Sequence, residues 1–523
     1  MHRPKPKHAA PTHPRSALAH AVGAVVAGRV AAAALDSLKY FALFRLLDKA
    51  DYGALAFALT WHLTAVTLGT VAVPDSLLAL LPRVPAAQQA GLARQSLKLL
   101  AALGALAGLA VAGLGHLPAL LPAGQPALPG LLPWIGLAIA ADLPAQLLQA
   151  FLLGIRRHRD AAVRTLGLAA LSNLALVAPI LAGAGLRVVV ASFAGACVLR
   201  LAVTVWTVHR AFPGEPHLAY PGGLRAQLTM AVPLSLTGVV ATFNRQLATW
   251  TAGFLLPAAL FADFAVGSQE LPLVSMLPNA VAVAMLPHLT QLMVQPAQRA
   301  AGIALWHAAI LRVALIMLPV WVWCTVETVP LLTALGGPHW ASAALPFRIT
   351  ALLLPLRVTA YGTLLLALGL PREVLKAQLA AVTATLLACA VLWTLHHGGW
   401  LDERSALVGG CAAFVLSQFT AIGLMLRAIA RGCDIAWHAA FPWRAWGLRL
   451  TVALAPMLVV QLLPRVPLSG EAGELLNLSL RTLGYAALTL AAFWHLDLLT
   501  AADRAVVRRW LRLAPLTEPA PVG

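Results

Sequence analysis

Seven basic residues fall inside stretches that are otherwise apolar: Arg29, Lys39, Arg200, Arg245, Arg312, Arg348 and Arg357. Four acids share such surroundings, Asp36, Asp142, Glu270 and Glu327. A charge at mid-bilayer costs ~2.5–3.5 kcal/mol on the insertion scale, so groups like these face a cavity or a partner. Guanidinium stays charged and binds oxyanions through a planar fork. An excess of buried Arg over acid therefore suits an anionic ligand and speaks against a cationic one. Arg29 and Lys39 flank Asp36 at helical spacings of seven and three, which sets Asp36 and Lys39 on one face with Arg29 near it. Other chemistry finds no support. The five cysteines form no C-x-x-C, and the sixteen histidines give only the loop pair His396-His397, so neither disulfide nor metal is expected. There is no P-loop to cradle a nucleotide. The sequence offers no catalytic set and no cofactor site, and an enzyme is not expected.

The elements that must position these charges follow from composition. Of 523 residues, 60% are hydrophobic and 11% charged, with a mean hydropathy of +0.81. Soluble domains are ~45–50% apolar and ~25% charged, so an ordinary soluble enzyme is excluded. Apolar windows cut at charged or Pro/Gly-rich breaks give fourteen candidate membrane helices: 17–46, 53–81, 97–122, 128–154, 165–186, 188–209, 226–256, 261–290, 302–335, 343–369, 374–396, 405–427, 446–464 and 475–498. The basic tail 1–16 followed by an Ala-rich stretch resembles a secretory signal. Arg29, Asp36 and Lys39 within the window favour a first span instead. All connecting loops are short, leaving no room for a soluble catalytic module.

The net charge of +18 has its own reading. With an even number of spans both termini share one side. On the cytoplasmic assignment, inner loops and tails hold 24 Lys and Arg. The outer loops hold six, namely Arg45, Lys49, Arg187, Arg404, Arg465 and Arg481. That asymmetry is a positive-inside signal. The charge orients the chain and meets anionic membrane lipids; no nucleic-acid partner is expected.

A shift of 209 residues lays the first helix on the seventh, with Arg45–Gly53 over Phe254–Ala262. Val73-Pro74-Asp75 and Leu81-Pro82-Arg83 in the second helix parallel Leu277-Pro278-Asn279 and Leu286-Pro287-His288 in the eighth. An even number of helices separates the copies, so they cross in the same direction, as in parallel repeats around a central cavity. The division expected is a tail 1–16, an N-lobe 17–212, a C-lobe 224–428, two further helices over 445–498 and a tail 499–523. The same shift sets Asp36 opposite Arg245. The pair reads equally as a gate over an anionic substrate or as a static ion pair between lobes.

Several segments resemble a known family. Arg45-Leu46-Leu47 followed by Asp51-Tyr52-Gly53 is similar to the signature of polysaccharide-biosynthesis (O-antigen) flippases. These belong to the multidrug/oligosaccharidyl-lipid/polysaccharide (MOP) exporter superfamily. Pro233-Leu234-Ser235, Phe243-Asn244-Arg245, Gly253-Phe254-Leu255, Glu270-Leu271-Pro272-Leu273 and Met285-Leu286-Pro287-His288 resemble its seventh and eighth helices. Leu335-Gly336-Gly337, Trp340, Pro346-Phe347-Arg348, Leu366-Ala367-Leu368-Gly369, Pro371-Arg372 and Lys376 resemble later patches. Two positions depart from the pattern: Ala248-Thr249 replace an acidic-basic pair, and Asp36 is an added acid. The resemblance implies an all-α polytopic protein of the inner membrane. It would move undecaprenyl-diphosphate-linked oligosaccharide, an O-antigen or exopolysaccharide repeat unit, from the cytoplasmic to the periplasmic leaflet by alternating access. It also implies polymerase and other polysaccharide-assembly proteins as partners. Arg29, Lys39, Arg245 and Arg357 are then candidates for the diphosphate, and Asp36, Glu270 and Asp142 for gating or ion coupling. The alternatives are a drug or cation exporter of the same superfamily and a membrane-embedded polymerase or ligase.

Overall fold

The computed structural model describes residues 31–32, 34–212, 220, 222–269, 272–464, 467 and 470–510. Among these residues every regular element is helical. A helix α1 covers residues 34–46. Then come α2 (Lys49–Gly69), α3 (Val73–Leu80), α4 (Ala86–Leu114), α5 (Leu128–Ala145), α6 (Leu147–Gly154), α7 (His158–Leu181) and α8 (Leu186–Ala211). The middle of the chain forms α9 (Gly223–Leu255), α10 (Ala258–Gly267), α11 (Pro272–Val294), α12 (Arg299–Val326), α13 (Thr328–Gly336), α14 (Ala344–Ala351) and α15 (Tyr361–Ala367). The last elements are α16 (Pro371–His397), α17 (Glu403–Cys433), α18 (Trp443–Leu462), α19 (Glu471–His495) and α20 (Ala501–Trp510).

Eleven helical stretches among the described residues are long and apolar enough to span a bilayer, and each overlaps one of the fourteen windows. The other three windows contain α1, α9 and the α10–α11 pair. Hydrocarbon offers backbone groups no water, so only helices that satisfy their own hydrogen bonds can cross it singly. Their outer faces are apolar: Leu109, Leu387, Leu458 and Leu462 are all exposed. In a water-soluble protein such residues would be costly surface; in a multi-pass membrane protein they meet lipid.

Several spans are broken where proline removes a backbone donor. The second span splits at Val71 and Ala72, both with positive φ (42° and 48°), ahead of Pro74. The fourth splits at Gln146, after Pro144. The tenth is interrupted around Leu354–Leu356, a short 3-10 turn containing Pro355. The carbonyls there find donors: Tyr361 Oη donates to Leu356 O at 2.7 Å and Trp446 Nε1 to Pro355 O at 3.0 Å. This satisfies groups that lipid would leave bare.

Two helix boundaries recur at the spacing of the sequence shift. α1 ends at residue 46 and α2 starts at 49; α9 ends at 255 and α10 starts at 258. Both boundaries differ by the same 209 residues. Small residues bring other helices close. On α4 and α5, a Cβ added to Gly108 would lie 2.4 Å from Gly136 O, and one on Gly136 2.4 Å from Gly108 O. Such close approach is how membrane helices gain packing without a hydrophobic drive between them.

The chain forms two compact units, one over Met1–Leu273 with Val374–Ala421, the other over Val274–Glu373 with Ile422–Gly523. The first has a core of Val73, Leu77, Leu92, Leu100, Leu143, Leu147 and Phe151, where α3, α4, α5 and α6 meet.

Candidate functional site

Within the first unit, α1 carries Asp36 and Lys39 one turn apart. Lys39 Nζ stands 3.2 Å from Asp36 Oδ1 and 4.7 Å over the Tyr40 ring. The face expected from spacing is thus formed, with Asp36 neutralising its neighbour. Arg29 and Glu270, the other candidates near these segments, lie outside the described residues.

Arg245 is exposed on α9, while its neighbour Asn244 is fully buried. Thr385 donates to Asn244 Oδ1, and Asn244 Nδ2 donates to Ser417 Oγ at 3.3 Å. Asn244 therefore ties α9 to α16 and α17. Successive helical residues point ~100° apart, so this anchor fixes the direction in which Arg245 leaves the helix. Nothing in the local sequence around Asn244 signals this anchoring role.

The richest cluster surrounds Asp142 on α5. Arg200 Nη1 from α8 lies 2.8 Å from Oδ1, and His62 Nε2 from α2 lies 3.3 Å from Oδ2. Gln146 Nε2 donates to Oδ2 at 3.0 Å. Cys197, one turn before Arg200, completes the group. One ligand atom each of His62, Asp142 and Cys197 lies within 4.8 Å of the others. Arg200, one of the seven basic residues inside apolar stretches, turns inward to a buried carboxylate, so each charge has an opposite partner. His62 escaped notice because a lone His in an apolar helix has no local signal of a partner.

The second unit holds a comparable pair. Glu327, between α12 and α13, is 2% exposed; Arg481 Nη2 reaches its Oε1 at 3.1 Å and Gln461 Nε2 donates to it at 2.6 Å. Arg481 was counted in an outer loop, but it lies within α19. Arg312 is another of the seven basic residues inside apolar stretches. It lies 3.5 Å from Asp503 at the start of α20. Asp503 lies outside the spans; desolvation is the largest single influence and pushes its carboxyl up, but the hydrogen bonds from Thr500 and the Arg312 charge together outweigh it and hold the group below the usual range. Arg348 Nε donates to Thr325 O at 3.0 Å. Arg357, expected near the middle of a continuous tenth helix, sits directly after the Leu354–Leu356 break and is half-buried. A broken helix sets irregular backbone beside that charge, which a straight one would not offer.

The tryptophans divide between packing and exposure. Trp61 and Trp250 meet at 4.1 Å between ring centres, in a cluster with Phe57 and Phe254, and Trp250 Nε1 donates to Thr64 Oγ1 at 3.2 Å. Trp134 and Trp400 are exposed.

No protein-family profile matches the chain, and no curated protein sequence does. Solved structures do. The chain is similar to a lipid II flippase, MurJ, in an inward closed conformation, with a TM-score of 0.66 at 13% identity, covering 90% of this chain and 99% of that one. It is similar to an inward-facing multidrug resistance MATE family transporter of the MOP superfamily, with a TM-score of 0.55 at 14% identity over 76% of this chain and 95% of that one. A eukaryotic MATE transporter gives 0.52 at 12% identity over 82% and 98%. At these identities the likeness is one of fold.

Proposed function

We propose that the chain is a flippase for a polyprenyl-diphosphate-linked saccharide, carrying the sugar head from the cytoplasmic to the periplasmic leaflet. The observation that carries this reading is the likeness of fold to a lipid II flippase along 90% of the chain. The chemistry of the spans supports it. A hydrated sugar on a diphosphate cannot cross ~30 Å of hydrocarbon unaided. It needs fixed cations along its route, and Arg29, Lys39, Arg245 and Arg357 are the residues proposed to meet its phosphates. Asp36, Glu270 and Asp142 are proposed to balance those charges or to couple an ion. O-antigen or exopolysaccharide units are the proposed cargo, the inner membrane the proposed site, and glycan polymerases the proposed partners. A multidrug-type exporter is the second reading, since MATE structures share the fold over 76% of the chain.

Deletion of the gene should cause a polyprenyl-diphosphate saccharide to accumulate with its head on the cytoplasmic side, read by lipid extraction and mass spectrometry. Arg245→Ala should abolish glycan export while the protein still inserts at wild-type level. Unchanged lipid pools in the deletion strain, with loss of resistance to a cationic dye, would shift the function to the second reading.

A further inference from the structure

We propose that His62, Asp142 and Cys197 form a binding site for a zinc-like divalent transition metal inside the first unit. Three donor types arrive from three helices: imidazole nitrogen from α2, carboxylate from α5 and thiol sulfur from α8. Their ligand atoms lie within 4.8 Å of one another, and all three residues are buried. Around a tetrahedral zinc, bonds of ~2.0–2.3 Å set one sulfur and two nitrogen or oxygen ligand atoms about 3.3–3.6 Å apart, so closure asks for contractions of up to about 1.5 Å from the 4.8 Å limit. Nitrogen, oxygen and sulfur together select zinc-like ions over calcium or magnesium, which take oxygen.

The orientation of His62 is the second observation. Its Nε2 is buried and 3.3 Å from Asp142 Oδ2, yet it makes no hydrogen bond of acceptable geometry. A ring serving only as a donor to Asp142 would align its N–H with that oxygen. Here the nitrogen is aimed beside it. Phe193 packs edge-on at 5.1 Å and holds the ring in that plane. The outer surroundings also fit a ligand set, since metal-bound carboxylates are themselves held by hydrogen bonds. Gln146 supplies that hydrogen bond to Oδ2, and Arg200 stands 2.8 Å from Oδ1 as an ion pair.

Binding balances simply. The ion forms a bond to Cys197 Sγ, and the thiol proton leaves to solvent. A divalent ion with one thiolate, one carboxylate and the Arg200 cation leaves a charge of +1. Three protein ligands leave one tetrahedral position. Both counts are closed by one anionic fourth ligand, hydroxide or chloride. The ion would clamp α2, α5 and α8, independently of any cargo.

The test uses the full chain, without a histidine tag, purified in detergent and loaded with Co2+ or Zn2+ alone. Elemental analysis should find about one ion per chain, and cobalt should give a near-ultraviolet thiolate charge-transfer band. Cys197→Ser should remove the band, and His62→Gln should weaken affinity at least about tenfold. Cys389→Ser and Cys433→Ser should change neither. Should Cys197→Ser fail to fold, the wild-type protein decides: chelation should lower its thermal midpoint and zinc restore it. A midpoint indifferent to chelator and zinc, or metal held equally by Cys197→Ser and His62→Gln, overturns the site.

Discussion

Glu327→Leu should destabilise the protein by about 3–5 kcal/mol, the cost of leaving a buried charge without its partner. Glu327 is almost fully enclosed, and Arg481 shows only 11% of its side chain. Arg481 Nε and Nη2 are buried and lack a well-formed hydrogen bond, so the carboxylate is what balances the guanidinium. Gln461 would lose its acceptor as well. The pair links the α12–α13 junction to α19, with α18 joined through Gln461, so the loss should loosen the packing of the last two spans. Glu327→Gln keeps an acceptor and should fall between wild type and Glu327→Leu. Glu327→Leu/Arg481→Leu should recover most of the loss, because replacing a whole buried pair with apolar residues is often neutral or better. Unfolding in mixed micelles, followed by tryptophan fluorescence, gives all four values. A double variant as unstable as Glu327→Leu would show that the pair's charges are not what matters there.

The contrast between Arg481 and the spans shows what sequence can and cannot reveal. Spans were legible because hydrocarbon imposes a length and a composition on any helix that crosses it. The repeat was legible at one place, the hinge between the first two helices of each copy, where 45–53 and 254–262 align and the chain does turn at matching positions. The faces were not legible. A membrane helix is apolar all round, so α8 gave no sign of which way Arg200 points. Partners were not legible either: Lys49 meets Asp263 across 214 residues, and Glu327 meets Gln461 across 134. No local pattern encodes such distances. The 343–369 window reads as one helix; that Arg357 stands at a break in it was not legible, because the break depends on Tyr361 and Trp446 arriving to satisfy the carbonyls.

Gly53→Ala tests the hinge itself and should cost about 3 kcal/mol or more, above the usual range for inserting one methyl group into a packed site. The added Cβ would sit 1.8 Å from Ala258 O, 2.7 Å from Ala258 C and 3.2 Å from Ala262 N. These are backbone atoms of α10, which cannot rotate aside as a side chain can. The start of α2 must therefore move away from α10. Two contacts depend on that approach. Lys49 Nζ is 2.7 Å from the buried carboxylate of Asp263, and the Phe57 and Phe261 rings meet at 5.1 Å. Weakening the first takes a cation from a carboxylate that is 3% exposed, which is why the cost should exceed simple overpacking. Gly113→Ala and Gly167→Ala are the controls. Both glycines are helical with nothing within 4 Å of an added Cβ, so each should gain up to about 0.5–1 kcal/mol from lost backbone freedom in the unfolded chain. The glycine of Asp51-Tyr52-Gly53 thus has a physical reason to be there: it admits the carbonyl of the second repeat into the first turns of α2. A Gly53→Ala protein as stable as wild type in the same micelle assay would overturn the close approach of α2 and α10.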